Sequence, residues 1–264
     1  MPEGHTLHRL ARDHHQQFAG EIVRVNSPQG RFAAGARLVD GRRFERAEAW
    51  GKHLLHHYEG GAVVHVHLGL YGKFTSQCTP MAAPVGEVRM RIAGSKWGAD
   101  LRGPTRCEVI SEEAVDELFA RLGPDPLRED ADPEQAWRRV HRSRAPVGGL
   151  LLNQSVIAGV GNVYRAEVLF RQGIAPNRAG SSLTRGEWNG LWRDLTELMP
   201  VGVAEGKMIT IRREHDNGAP AYEPGRPRTY VYRRAGEKCR VCGSPVKQAE
   251  LQARKIFWCP QCQV

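Results

Sequence analysis

The chain has 264 residues, 41% of them hydrophobic and 25% charged, with 38 Lys and Arg against 29 Asp and Glu for a formal net charge of +9 at pH 7. That is the composition of a globular protein with room for one or two domains, and its surplus of positive charge suits a polyanionic partner. No apolar run is long enough to span a bilayer, and Arg9, Arg12 and Asp13 interrupt the apolar pattern of the N-terminus, so neither a membrane span nor a secretory signal is expected and the protein is placed in the cytoplasm.

The chain opens MPEGHTLHRL, where Leu7, Leu10, Ala11 and Phe18 recur at helical spacing. Proline suits the first position of a helix and Glu3 suits its positive end, so a helix alone accounts for both. A second reading is chemical. With Met1 removed, Pro2 is a terminal secondary amine whose reference pKa is about 8, able to attack a carbonyl-like carbon.

Short runs with period-two patterning follow: EIVRVNS, ARLVDGRRFERAEAW, KHLLHHYEGGAVVHVHLGLYGKF and EVRMRIAG. In AVVHVHL, Val64, Val66 and Leu68 fall on one face and His65 and His67 on the other, which reads as a half-buried antiparallel strand with the histidines on a solvated face and no metal. These runs predict a β-sandwich of roughly a hundred residues capped by the first helix. Lys52, after Gly51, reads locally as a surface lysine. Leu70 and Tyr71 sit between glycines at a hairpin tip, where a large side chain either folds back on its sheet or wedges into a base stack.

The acidic, proline-rich stretch beginning at Gly123 lacks periodicity and marks a boundary, giving a first domain over 1–122 and a linker over 123–132. Beyond it EQAWRRVHRS, GGLLLNQSVI, the run from Asn162 and RGEWNGLWRDLTELM read as helical, over 133–228. GVGN, Gly159 to Asn162, places a tight turn before a helix, a geometry that serves a plain helix connection or an exposed-amide phosphate site.

Residues 229–264 are short, aromatic and β-like. Cys78 and Cys107 stand alone, whereas Cys239, Cys242, Cys259 and Cys262 form two C-x2-C pairs separated by sixteen residues. That spacing predicts one structural zinc ion, closed by four thiolates and without an open catalytic position. Between the pairs Arg254 and Lys255 adjoin Phe257 and Trp258, suited to a nucleic-acid backbone or to simple solvation. From Val201 onward there are twelve Lys and Arg against six Asp and Glu, so most of the net charge lies in this quarter.

Taken together, Pro-Glu at the start, Gly-Lys before a strand, GVGN before a helix and an arginine five residues before the third zinc cysteine resemble the formamidopyrimidine-DNA glycosylase / endonuclease VIII family over essentially the whole chain, most closely its endonuclease VIII branch of actinobacterial type. The resemblance implies an α+β protein: an N-terminal β-sandwich, a helix-two-turn-helix domain and a zinc finger. It also implies a DNA repair enzyme that removes oxidised bases and cuts the strand by β,δ-elimination. By this match Pro2 is the Schiff-base nucleophile, Glu3 the proton donor, Lys52 an aid to β-elimination and Arg254 the arginine of δ-elimination and phosphate binding. Asn162 and Arg121 match DNA-backbone ligands, Leu70 and Tyr71 the residues that fill the gap left by an extruded base, and Glu167 a second acid near the nucleophile. The implied partner is double-stranded DNA carrying oxidised bases or abasic sites, met by a monomer. Gly69 stands where well-known endonuclease VIII sequences carry glutamine, and the start PEGHT differs from the PELPE of the oxidised-purine branch. Both favour oxidised pyrimidines. A binder without catalysis, and an enzyme for oxidised purines or bare abasic sites, are the rival readings.

Overall fold

A computed structural model describes residues 2–216 and 228–264. The chain divides into two compact units, Met1–Arg121 and Leu122–Val264.

The first unit is a β-sandwich. Helix α1 (Gly4–Phe18) precedes β1 (Arg24–Asn26), α2 (Ala33–Val39) and seven further strands, β2 (Phe44–Trp50), β3 (His53–Tyr58), β4 (Ala62–His67), β5 (Lys73–Cys78), β6 (Val88–Ala93), β7 (Trp97–Arg102) and β8 (Arg106–Ile110), and α3 (Glu112–Ala120) closes it. Two four-stranded antiparallel sheets form, in the orders β1-β6-β7-β5 and β2-β3-β4-β8. Met90, Ile92, Ala99 and Leu101 from the first sheet pack with Phe44, Leu54, Val64 and Val66 from the second. Leu7, Ala11 and Phe18 of α1 join that core, as their spacing predicts.

Three expectations are corrected. Ala36 to Val39 belong to α2, not to a strand. The outer face of β4 is not solvated: α3 lies over it, so Val63 packs with Leu55 and Val115, and His65 is 2% exposed. Strand patterning is a local signal and does not say whether a later helix returns to cover the second face. The stretch from Gly123 is no free linker either, since Gly123 N–H donates to the Gln154 carbonyl, Ala158 N–H to the Pro124 carbonyl, and Asp125 is fully buried.

The second unit contains α4 (Pro133–His141), α5 (Val147–Leu150), α6 (Asn162–Arg171), α7 (Arg185–Glu205) and the hairpin of β9 (Lys247–Leu251) and β10 (Arg254–Trp258). Only a single turn of GGLLLNQSVI is helical. Helix α7 starts with a reciprocal capping box between Thr184 and Glu187 and stops at Gly206, φ 67°. Helix α6 is buried all round because it serves two cores: Tyr164, Val168 and Leu169 pack with the helices, and Ala166 and Phe170 with Ile256 and Phe257 of the hairpin. Among the described residues no helix is long and apolar enough to cross a membrane.

Candidate functional site

In the first unit, helix α1 starts at Gly4 with Glu3 as its cap residue and Pro2 ahead of the cap. Pro2 is therefore not in the first turn, and the Glu3 side chain makes no capping bond. The helical explanation therefore fails for Pro2, while Glu3 does stand at the helix start, its carbonyl accepting from Thr6 N–H at 2.8 Å. Glu3 is nevertheless 0% exposed, at the positive end of a helix, where an acid can be held in a fixed place. Met1, whose removal the proposed chemistry requires, lies outside the described residues.

Gly51 and Lys52 form the two-residue turn between paired Trp50 and His53. Gly51 has φ 58°, the left-handed conformation such a turn requires, so Lys52 is presented from a short, stiff hairpin. Beside it lie three imidazoles that the two strands bring together. His53 pairs with His67 across the ladder, its ring centroid is 5.1 Å from His65 and 5.2 Å from His67, and its Nδ1 is 2.9 Å from His65 Nε2. Burial, then the charges around it including Arg106 and Arg121, pushes His53 down to about 3. Burial and then the Lys52 ammonium lower His67. Burial is the main cause in all three; Glu108 opposes it at His65, while Arg121 adds to it at His53 and Lys52 at His67. Arg121 itself is exposed and caps the C-terminus of α3.

Leu70 and Tyr71 occupy the tight turn between β4 and β5, closed by Gly72 N–H donating to the Leu68 carbonyl at 3.0 Å. They are 45% and 85% exposed, so they project from the turn and do not fold back on the sheet. Gly69 has φ 66°, and a Cβ there would collide with the Thr105 side chain. A glutamine at this position would be strained on both counts, which accounts for the departure noted in the sequence.

In the second unit Asn162 is the first residue of α6 and 8% exposed. Its Nδ2 donates to the Lys255 carbonyl at 2.9 Å, and its buried Oδ1 has no hydrogen-bond partner. One turn on, Arg165, 0% exposed, donates to the same carbonyl at 3.3 Å and to the Gly148 carbonyl at 3.0 Å. Two side chains of one helix face therefore fix the backbone beside Arg254. The hairpin reverses through Gln252 and Ala253, both with positive φ, which leaves Arg254 and Lys255 exposed at its tip. Asn162 and Arg254 are brought together in this way. The sequence reading missed Arg165, whose i, i+3 spacing from Asn162 was the available signal.

Cys239, Cys242, Cys259 and Cys262 place their four sulfurs within 4.8 Å of one another. Sulfurs held at about 2.3 Å around a tetrahedral zinc are about 3.8 Å apart, and the observed pairs Cys239–Cys262 at 3.9 Å and Cys242–Cys259 at 3.4 Å match that size. The donor set fits a closed structural zinc. Cys78 and Cys107 lie outside it.

Glu167 is fully buried, and its two oxygens accept from Thr210 Oγ1 at 2.5 Å and from the backbone N–H groups of Tyr230, Val231 and Tyr232 at 2.6, 2.9 and 2.9 Å. Burial raises its pKa, while those four bonds act the other way. With every acceptor position engaged, Glu167 serves as a structural tie between α6 and the start of the cysteine-bearing segment.

Three family models match the chain: the formamidopyrimidine-DNA glycosylase N-terminal domain over residues 1–107, the formamidopyrimidine-DNA glycosylase H2TH domain over 122–213, and the zinc finger found in FPG and IleRS over 236–264. The chain is 59% identical over 267 residues to Endonuclease 8 1 of Mycobacterium tuberculosis, covering 100% of each, and 36% identical to the formamidopyrimidine-DNA glycosylase of Thermus thermophilus, covering 100% of this chain and 97% of that protein. Among solved structures, the MutM (Fpg) protein of Thermus thermophilus superposes with a TM-score of 0.79 at 30% identity over 99% of this chain and 98% of that one. The Lactococcus lactis Fpg, solved in complex with abasic-site DNA, has a TM-score of 0.81 at 20% identity over 99% of both chains and shares the fold.

Proposed function

We propose, for a chain that belongs to the formamidopyrimidine-DNA glycosylase / endonuclease VIII family, that it is a bifunctional DNA glycosylase and abasic-site lyase in which Pro2 is the covalent nucleophile. The observation that carries this reading is the placement of Pro2 ahead of the α1 cap, outside the first helical turn, directly beside the fully buried carboxyl of Glu3. A base inside a duplex is out of reach of an amine at a chain end, so the nucleotide is extruded and the gap filled. Leu70 and Tyr71, projecting from their turn, are suited to that.

The Pro2 nitrogen lone pair then bonds to deoxyribose C1′ as the base leaves with the glycosidic electron pair. Glu3 delivers its proton to the ring oxygen as the C1′–O4′ bond opens, and the proline loses its own proton to leave a cationic imine. That cation acidifies the C2′ hydrogen, whose removal expels the 3′ phosphate, with Lys52 assisting. Elimination of the 5′ phosphate follows, with Arg254 on the phosphate. Asn162 and Arg121 hold backbone phosphates. The zinc, where bound, fixes the hairpin and takes no part in the bond changes. Gly69 and the PEGHT start support oxidised pyrimidines as the preferred lesions.

Borohydride trapping on duplexes carrying thymine glycol, 8-oxoguanine or an abasic site tests the reading. A covalent adduct is expected with thymine glycol and the abasic site. No adduct on any duplex supports a non-catalytic binder, and an adduct with 8-oxoguanine alone overturns the pyrimidine assignment.

A further inference from the structure

Helix α4 buries Ala136 and Val140, and the face it turns outward becomes strongly basic towards its end. Arg138, Arg139, His141, Arg142 and Arg144 are all exposed within seven residues. The acids of the first turn are already engaged: Asp132 lies 3.8 Å from Arg138, and Glu134 pairs with Arg185 of α7. His141 stacks on Trp137, ring centroids 4.5 Å apart. Arg139, Arg142 and Arg144 have no carboxylate partner among the described residues. One or two cations at a helix C-terminus complement its dipole, but an unpaired run that continues past the helix end into the following loop exceeds that need.

The run leads directly into α5, and α5 carries the tip of the zinc hairpin. A Cβ on Gly148 would lie 3.1 Å from Leu251 Cδ2, and one on Gly149 2.6 Å from Gln252 Nε2, so glycine at both positions lets the hairpin turn seat closely. Arg254 and Lys255 follow two and three residues after Gln252. Arg144 and Gly148 are four positions apart, a reach of at most about 14 Å. The basic end of α4 and the hairpin tip therefore border one another within this unit.

We infer that Arg139, Arg142 and Arg144 form a second backbone-binding surface, which engages duplex DNA beyond the nucleotides held by Asn162 and Arg254. This rests on the glycosylase reading for the identity of the polyanion. Phosphates recur every ~3.4 Å along each strand, so the surface lies within at most about four base steps of the hairpin tip. It reads no sequence, because guanidinium-to-phosphate contacts position a duplex without discriminating bases.

The test is the salt dependence of binding to a duplex of about 30 base pairs with a central tetrahydrofuran abasic analogue. Neutralising each phosphate contributes about 0.9 to the slope of log affinity against log salt. The triple variant R139Q/R142Q/R144Q is expected to lower the slope by roughly 2 to 3, so that its affinity deficit shrinks roughly 40-fold between ~50 and ~200 mM salt. Arg31 and Arg37, exposed and in the other unit, give the control R31Q/R37Q, expected to leave the slope at the wild-type value. Shortening the duplex on one side should bring the wild-type slope down to that of the triple variant. Equal slopes for wild type and triple variant on the long duplex overturn the inference, as would an equal drop in the control. Failure of the glycosylase reading looks different: wild type then binds the abasic analogue no better than undamaged duplex, whatever the slopes.

Discussion

Replacing Glu167 by glutamine preserves shape and removes the charge, so it separates a structural tie from an acid catalyst. The carboxylate accepts four hydrogen bonds, three of them from backbone N–H groups that can only donate. Glutamine keeps one accepting oxygen and sets an NH2 group against the other pair of donors. The Thr210 hydroxyl can turn to accept from that NH2, but the Tyr230 N–H is left facing it, at ~1–3 kcal/mol, and the three remaining bonds fall from charged to neutral strength at ~1 kcal/mol each, which totals roughly 4–6 kcal/mol. For a unit of this size each kcal/mol moves the melting temperature by about 2–4 °C. Glu167→Gln should therefore lower the transition by about 8 to 24 °C, read by calorimetry or by circular dichroism with zinc content followed alongside. At a temperature where the variant is folded, single-turnover excision should keep its acid limb against pH. A variant with wild-type stability and abolished excision would refute the argument and return Glu167 to the role of acid.

Leu70→Ala with Tyr71→Ala should change stability by no more than about 0.5 kcal/mol, since both side chains are exposed. Excision in single-turnover assays should fall roughly 10- to 100-fold as ~1–3 kcal/mol of stacking is lost. Gly69→Gln forces a side chain into φ 66° against Thr105 and is expected to cost about 1–3 kcal/mol in urea denaturation. His14 and His56 share one buried hydrogen bond of 2.9 Å, and burial depresses both, His14 to about 4. A depressed folded value means the unfolded chain binds more protons between the two values. Stability is therefore full above about 6.5 and falls as pH drops towards about 4, which urea midpoints at pH 7.5 and 5 would register and His14→Phe would flatten. Chelating the metal from Cys239, Cys242, Cys259 and Cys262 should release the hairpin and weaken duplex binding, seen as four titratable thiols appearing together with the loss of affinity.

The amino-acid order alone determined what depends on near neighbours. The two C-x2-C pairs, the helical spacing of Leu7, Ala11 and Phe18, the glycines framing Leu70 and Tyr71 and the period-two strands all act over a few residues, and each is found in place except Ala36 to Val39, which form α2. What the fold decided involves partners far apart in sequence. Asn162 meets the Lys255 carbonyl across 93 positions, and Glu167 meets Tyr230 across 63, so neither the hairpin anchor nor the structural duty of Glu167 could be read from local pattern. His65 looked solvent-facing because its strand alternates, and became buried because α3, arriving 47 residues later, covers that face. Periodicity records which side chains share a surface. Only the packed chain decides what lies against that surface, because burial is a property of the element that returns to it.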